Sequence, residues 1–135
     1  MSRENVEVAL AGMEAWSRRD LRAMLELLDP EVEWHPAFQK LLGGEAVTYH
    51  GHDGVRELMR DTDEIASAVD PVMSEVYDLG DRVAAVGRLA IRGRESGIEI
   101  DSPVGVVADF REGKLLCIRT YLGHTEALEA AGLRE

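Results

Sequence analysis

The side chain best suited to move a proton at neutral pH is His35, because an imidazole titrates there without special tuning. It closes the run Asp29-Pro30-Glu31-Val32-Glu33-Trp34-His35-Pro36, in which prolines bracket a short extended segment. Trp34 beside it offers a flat apolar surface, so the pair is expected at a pocket mouth, with His35 as general base. The competing expectation is a hydrogen-bonded rim or core histidine preceding Pro36. Arg88 is the second candidate. It is flanked on its own face of an alternating run by Val86 and Ala90, so it must either pair with Glu75, Glu99 or Asp101, or face a cavity where it polarises a carbonyl.

Other reactive residue types carry less. Tyr49-His50-Gly51-His52 places two histidines two apart with no third ligand at an ordinary spacing, so no metal site is expected. His124 starts the last helix and should be exposed. The single cysteine, Cys117, cannot form an internal disulfide and, between Leu116 and Ile118, should pack as a small hydrophobe. Ser102-Pro103 has no base nearby in sequence, and there is no nucleophile elbow or phosphate-binding glycine loop. Covalent catalysis and a cofactor are therefore not expected.

Helices first and strands afterwards must position these groups. Val6, Ala9, Leu10, Met13 and Trp16 form one stripe of a helix capped by Asn5 or Ser2. Asp20 caps a second helix with Leu21, Met24, Leu25 and Leu28 inward, ended by Asp29-Pro30. A long loop from about Ala37 to His52 follows. Asp53 is expected to cap a third helix, with Val55, Leu58, Met59, Thr62, Ile65 and Ala66 inward, stopping before Asp70-Pro71. Four runs then alternate, 72–79, 82–92, 98–110 and 114–122, separated by glycine-bearing turns, which predicts an antiparallel meander. In the last run Cys117, Arg119 and Tyr121 share one face and Leu116, Ile118, Thr120 and Leu122 the other. Arg119 and Tyr121 are thus candidates for contact with a second subunit. A short helix over 126–131 closes the chain. The order predicts an α+β domain with helices on one face of a curved sheet.

With 135 residues, one domain over 1–135 is expected. No apolar run approaches the ~18–20 residues that span a bilayer, and the start lacks the profile of a secretion signal, so the expected location is cytoplasmic. A formal charge of −11 disfavours nucleic acid and anionic membrane as partners.

Ala15-Trp16-x-x-x-Asp20-Leu21, Leu28-Asp29-Pro30-x-Val32-x-Trp34-His35, His50-Gly51-x-x-Gly54-Val55-Arg56 and Gly113-Lys114 to Arg119-x-Tyr121 together span nearly the whole chain. In this pattern the sequence resembles the SnoaL-like branch of the nuclear transport factor two-like superfamily, which includes polyketide cyclases, ketosteroid isomerases and limonene epoxide hydrolases. The resemblance implies a cone-shaped curved antiparallel sheet, with three N-terminal helices packed on its concave face and a short C-terminal helix. It also implies a deep apolar pocket and a homodimer formed through the outer sheet face. Laid against ketosteroid isomerases, His35 falls at the general base, Gly12 at the tyrosine donor and Val106 near the protonated aspartate. Against limonene epoxide hydrolases, Thr120 falls at a water-activating aspartate. The resulting expectation is a cofactor-independent cyclase or isomerase acting on an apolar, carbonyl-bearing ring compound by proton transfer. His35 and Arg88 would be catalytic, and Trp16, Trp34, Tyr49, Val106, Ile118 and Thr120 would line the substrate site. The alternative is a noncatalytic domain binding a small apolar molecule or a protein.

Overall fold

A computed structural model describes residues 2–41 and 43–133. The first helix, α1 (Ser2–Ser17), buries Ala9, Ala15 and Trp16, whereas Leu10, expected inward, is exposed. Its corner with α2 (Leu21–Leu27) is set by Arg19, which takes φ 56° and reaches Asp63 Oδ1 at 2.6 Å and the Met59 carbonyl at 3.1 Å. Asp20 caps α2 as its side chain predicts, with Oδ1 accepting from the Ala23 amide at 3.1 Å. The helix ends one residue early, because Leu28 is already extended and opens β1 (Leu28–His35).

The loop that follows contains a short helix, α3 (Phe38–Leu41), and a two-residue strand, β2 (Tyr49–His50), neither of which was expected. Helix α4 (Gly51–Ile65) begins ahead of Asp53. His50 occupies the cap position without a side-chain cap bond, and Asp53 lies in the first turn, ion-paired with Arg56 at 2.6 Å. A carboxylate there suits the positive end of the helix as well as a cap would. Val55, Leu58, Met59 and Thr62 are buried as their spacing predicts, but Ile65 is exposed and Ala66 already belongs to the next strand.

β3 (Ala66–Asp78) starts well before the expected Val72 and runs straight through Asp70-Pro71. It can do so because β3 is an edge of the sheet, where a residue without an N–H costs no ladder bond. β4 (Arg82–Gly93), β5 (Glu99–Arg111) and β6 (Lys114–Tyr121) complete the antiparallel meander, and α5 (His124–Ala130) follows. The six strands lie in the order β2-β1-β6-β5-β4-β3, and β1 runs parallel to β6. The sheet is therefore mixed where a wholly antiparallel one was expected. The parallel pair closes over the long crossover formed by everything between β1 and β6, a type of connection that local turn signals cannot reveal.

Register breaks at Leu28/Glu33, Ala66/Ala68, Met73/Glu75 and Asp109/Phe110 bend the sheet. Inside the bend, α1, α2 and α4 pack with Leu28, Val32, Val104, Leu115 and Ile118 in the main core. On the other face α5 lays Ala127 and Ala131 against Ala84, Val86 and Val107 as a second core. Gly105 makes that approach possible: a Cβ there would stand 2.2 Å from Ala127 Cβ. The fold is thus an α+β cone with an open, curved sheet. Among the described residues no helix is long and apolar enough to cross a membrane.

Candidate functional site

The concave face encloses a cavity of about 110 Å³. Ala9, Gly12, Met13 and Trp16 of α1 and Met24 of α2 form one wall. Val69, Pro71 and Met73 of β3, Leu89 of β4, Val104, Val106 and Ala108 of β5 and Leu115, Ile118 and Thr120 of β6 form the opposite one. Trp34, Pro36, Ala37 and Phe38 complete the lining. Most strand contributions follow from alternation: 69, 71 and 73 share a face, as do 104, 106 and 108, and 118 and 120; Leu115 joins them across the register break between Asp109 and Phe110. The two indoles meet inside it, with ring centroids 5.5 Å apart and planes tilted by 45°. The Trp16 Nε1 donates to the Val69 carbonyl at 2.9 Å, and Arg19 stacks over its ring at 4.7 Å, so that indole is fixed from both sides.

Among the described residues lining the cavity none titrates, and Thr120 carries the one hydroxyl. Five residues expected at a substrate site, Trp16, Trp34, Val106, Ile118 and Thr120, are brought together here. Tyr49 is not among them. It is buried beside α4, where its hydroxyl donates to Asp61 Oδ2 at 2.8 Å. Burial first and the Asp61 carboxylate second push its phenol up to about 12.

His35 lies on the opposite face from Trp34, as neighbours on a strand must. Its Nδ1 is 3.0 Å from Thr48 Oγ1 and its Nε2 is 3.5 Å from Glu33 Oε1. This matches the hydrogen-bonded rim alternative and separates the imidazole from the cavity lining. Arg88 is also on the outer face. More than half exposed, it donates to Asp101 Oδ1 at 2.6 Å, one of the three carboxylates considered as its partner. His124 differs from expectation: it is half-buried, with Nε2 2.7 Å from the Gly87 carbonyl. His52 Nε2 sits 3.0 Å from the Leu28 carbonyl, and His50 is exposed.

The outer face also carries a polar row. Arg82 Nε meets Asp109 Oδ1 at 2.6 Å and an Arg119 Nη meets Asp109 Oδ2 at 3.3 Å. Cys117 lies across from Asp109 on one side and from Glu33 on the other. Burial pushes its thiol up, with Glu33 and Asp109 adding to the shift and Arg119 and Arg82 opposing it. Glu33, His35 and Cys117 bring one possible metal-ligand atom each to within 4.8 Å of one another. Sequence spacing missed this group because its third member arrives from β6 across a parallel pairing. The cavity residues Met13, Met24 and Met73 were missed because nothing distinguishes a helix or edge-strand residue facing a void from one facing packed core.

Comparison with known proteins agrees with this architecture. No functionally curated protein matches the sequence. An NTF2-like protein of unknown function from Burkholderia pseudomallei superposes with a TM-score of 0.77 at 25% identity, over 93% of this chain and 95% of that one. An NTF2-like protein from Burkholderia xenovorans gives 0.75 at 25% identity, over 97% of each. A candidate polyketide cyclase from Xanthomonas campestris gives 0.70 at 21% identity, over 92% and 93%, a likeness of fold alone. The sequence pattern of the SnoaL-like domain matches residues 9–118. Together with the cone and its apolar cavity, that match establishes that the chain belongs to the SnoaL-like domain family.

Proposed function

We propose that this chain binds a small, neutral, largely apolar ring compound in the cone and orients it through the Thr120 hydroxyl. The observation that carries the reading is the lining itself, two indoles and a wall of aliphatic side chains without a titratable group among the described residues. Burying a charged ligand there would cost several kcal/mol with no counter-charge to offset it. Size narrows the class further, since an apolar cavity of about 150 Å³ admits benzene. The volume of about 110 Å³ is of that order, so the ligand taken here is a single ring. A carbonyl or hydroxyl on that ring would find its partner in Thr120.

Catalysis is the second reading, and the hydroxyl favours it: a donor in an otherwise apolar wall is the kind of group that can stabilise a developing oxyanion. Membership in a family of cyclase and isomerase type makes proton transfer on a carbonyl-bearing ring a reasonable expectation, but the fold hosts several activities and does not select one. The positions of His35 and Arg88 on the outer face speak against those two as its acid and base. A base for this reaction would have to come from the ligand itself or from a rearranged rim.

Native mass spectrometry of gently purified protein tests the reading. A retained neutral molecule of one-ring size supports binding. The same molecule recovered altered after incubation would move the assignment to catalysis, and retention only of ionic or polycyclic compounds would overturn it. The same spectrum gives the subunit count, and a dimer formed through the outer face remains part of this proposal.

A further inference from the structure

The outer face holds a second constellation that the apolar cavity does not use. Glu33 and His35 sit two apart on β1, so both side chains leave the same face, and Cys117 stands directly across from Glu33 on the parallel neighbour β6. We propose that Glu33, His35 Nε2 and Cys117 Sγ form a three-ligand site for a borderline-soft divalent ion such as zinc, with the fourth position filled by a water or a small ligand.

Geometry and donor chemistry support this independently of what the cavity binds. One carboxylate, one imidazole and one thiolate are the donor types zinc takes. In a tetrahedral zinc site the ligand atoms lie about 3.3–3.7 Å apart, as bond lengths of about 2.0–2.3 Å require. The Glu33 Oε1 to His35 Nε2 distance is already 3.5 Å, and all three atoms fall within 4.8 Å, so turning the thiol inward by about an ångström completes the triangle. Thr48 supplies a second, separate observation. Its Oγ1 lies 3.0 Å from His35 Nδ1, within reach to accept the Nδ1–H of the tautomer that a metal at Nε2 requires. Metal-bound histidines are oriented in this way by a partner on the other ring nitrogen. Arg119 is close enough to oppose a cation, but Asp109 pairs with it at 3.3 Å and with Arg82 at 2.6 Å. The ion's two positive charges would be balanced by the Glu33 carboxylate and the Cys117 thiolate.

Binding releases the thiol proton of Cys117 to solvent as the sulfur–metal bond forms. The groups facing that thiol are Glu33 and His35 on β1, Asp109 on β5, Arg82 on β4 and Arg119 on β6. Because the metal takes the thiolate and the neutral imidazole, protons compete with the ion and affinity should fall as pH falls.

The test is calorimetric titration of the chelator-treated full chain with zinc, together with titration by cobalt(II) as a spectroscopic substitute. One zinc per chain is expected, with about one proton released at neutral pH. Cobalt should give a thiolate-to-metal charge-transfer band and the intense d–d bands of a four-coordinate ion. Cys117→Ala and His35→Ala should each abolish the charge-transfer spectrum or lower zinc affinity by more than a hundredfold, and Thr48→Val should lower it about 10–100-fold. His50→Ala should change nothing. Circular dichroism checks that each variant is folded; Glu33→Gln, which keeps shape and removes charge, serves where another variant is not. Zinc affinity equal in Cys117→Ala and the wild type, or cobalt bound without a sulfur charge-transfer band, would overturn the site.

Discussion

Gly12 provides the sharpest link between stability and binding in this fold. It lies in the interior of α1, where glycine is less favourable than alanine by about 0.8–1.0 kcal/mol. Nothing in the surrounding structure demands it: an added Cβ would stand 3.5 Å from Leu115 Cδ1 and 4.0 Å from Leu27 Cδ1, ordinary contact distances, and its backbone has no positive φ. Gly12→Ala should therefore stabilise the protein by about 1 kcal/mol, a rise in melting temperature of about 3–5 °C for a domain of this size. Gly12 also lines the cavity, so the new methyl takes ligand space. Overpacking of that kind costs about 1–3 kcal/mol, which for a ring filling the cone means binding weakened about 5- to 150-fold. Thermal melts by circular dichroism and ligand titration, both on Gly12→Ala and wild type, read the two effects separately. A variant no more stable than wild type would refute the packing argument. A more stable variant with unchanged affinity would show that the ligand does not reach this wall.

Three further outcomes follow from the same structure. Gly105→Ala drives a methyl to 2.2 Å from Ala127 Cβ and should destabilise the protein by about 1–3 kcal/mol in urea denaturation; Ala127→Gly added to it should recover part of the loss. Tyr49 should ionise near pH 12, and that late step in tyrosinate absorbance should vanish in Tyr49→Phe. Because its folded pKa lies above the unfolded value, the stabilisation from Tyr49 is complete below about pH 10 and lost as pH rises towards 12. Asp29 behaves oppositely. The hydrogen bonds from Arg111 at 2.8 and 3.1 Å, then the Glu31 amide, hold its carboxyl below the usual 3.8, so its contribution is present above that pH and lost in stronger acid. Asp29→Asn should flatten the acid limb of the stability profile.

Much of the architecture was legible because local chemistry and tertiary packing agreed. Asp20 caps α2, the burial stripe of α4 follows its spacing, and the β4–β5–β6 meander follows its glycine turns. Disagreement arose where distant parts of the chain decided the outcome. Asp70-Pro71 looked like the stop after a helix and sits within β3, which accepts the proline because it is an edge of the sheet. Asp53 looked like a cap, but the chain entered the helix earlier at Gly51, whose φ of +71° allows the turn. The site divides along the same line. Ile118 and Thr120 were placed on one face of β6 by alternation alone, and Val106 came in through the family resemblance; all three line the cavity. The same alternation, applied to Trp34 and His35, would have separated them; the pairing of a proton carrier with an aromatic wall overrode a period of two that the strand could not break. Arg88 left two options open, and the structure places it with Asp101 on the outer face.

Fluorescence titration with neutral single-ring ketones and their hydrocarbon counterparts tests the central claim most directly, because Trp16 and Trp34 line the cavity and report its occupancy. The account predicts saturable tryptophan signals for both series, a preference for the ketones that disappears in Thr120→Val, and loss of all binding in Ile118→Trp, where an added ring fills the cone. Ketone binding that survives Ile118→Trp, or no saturable signal from any neutral ring compound, would contradict it.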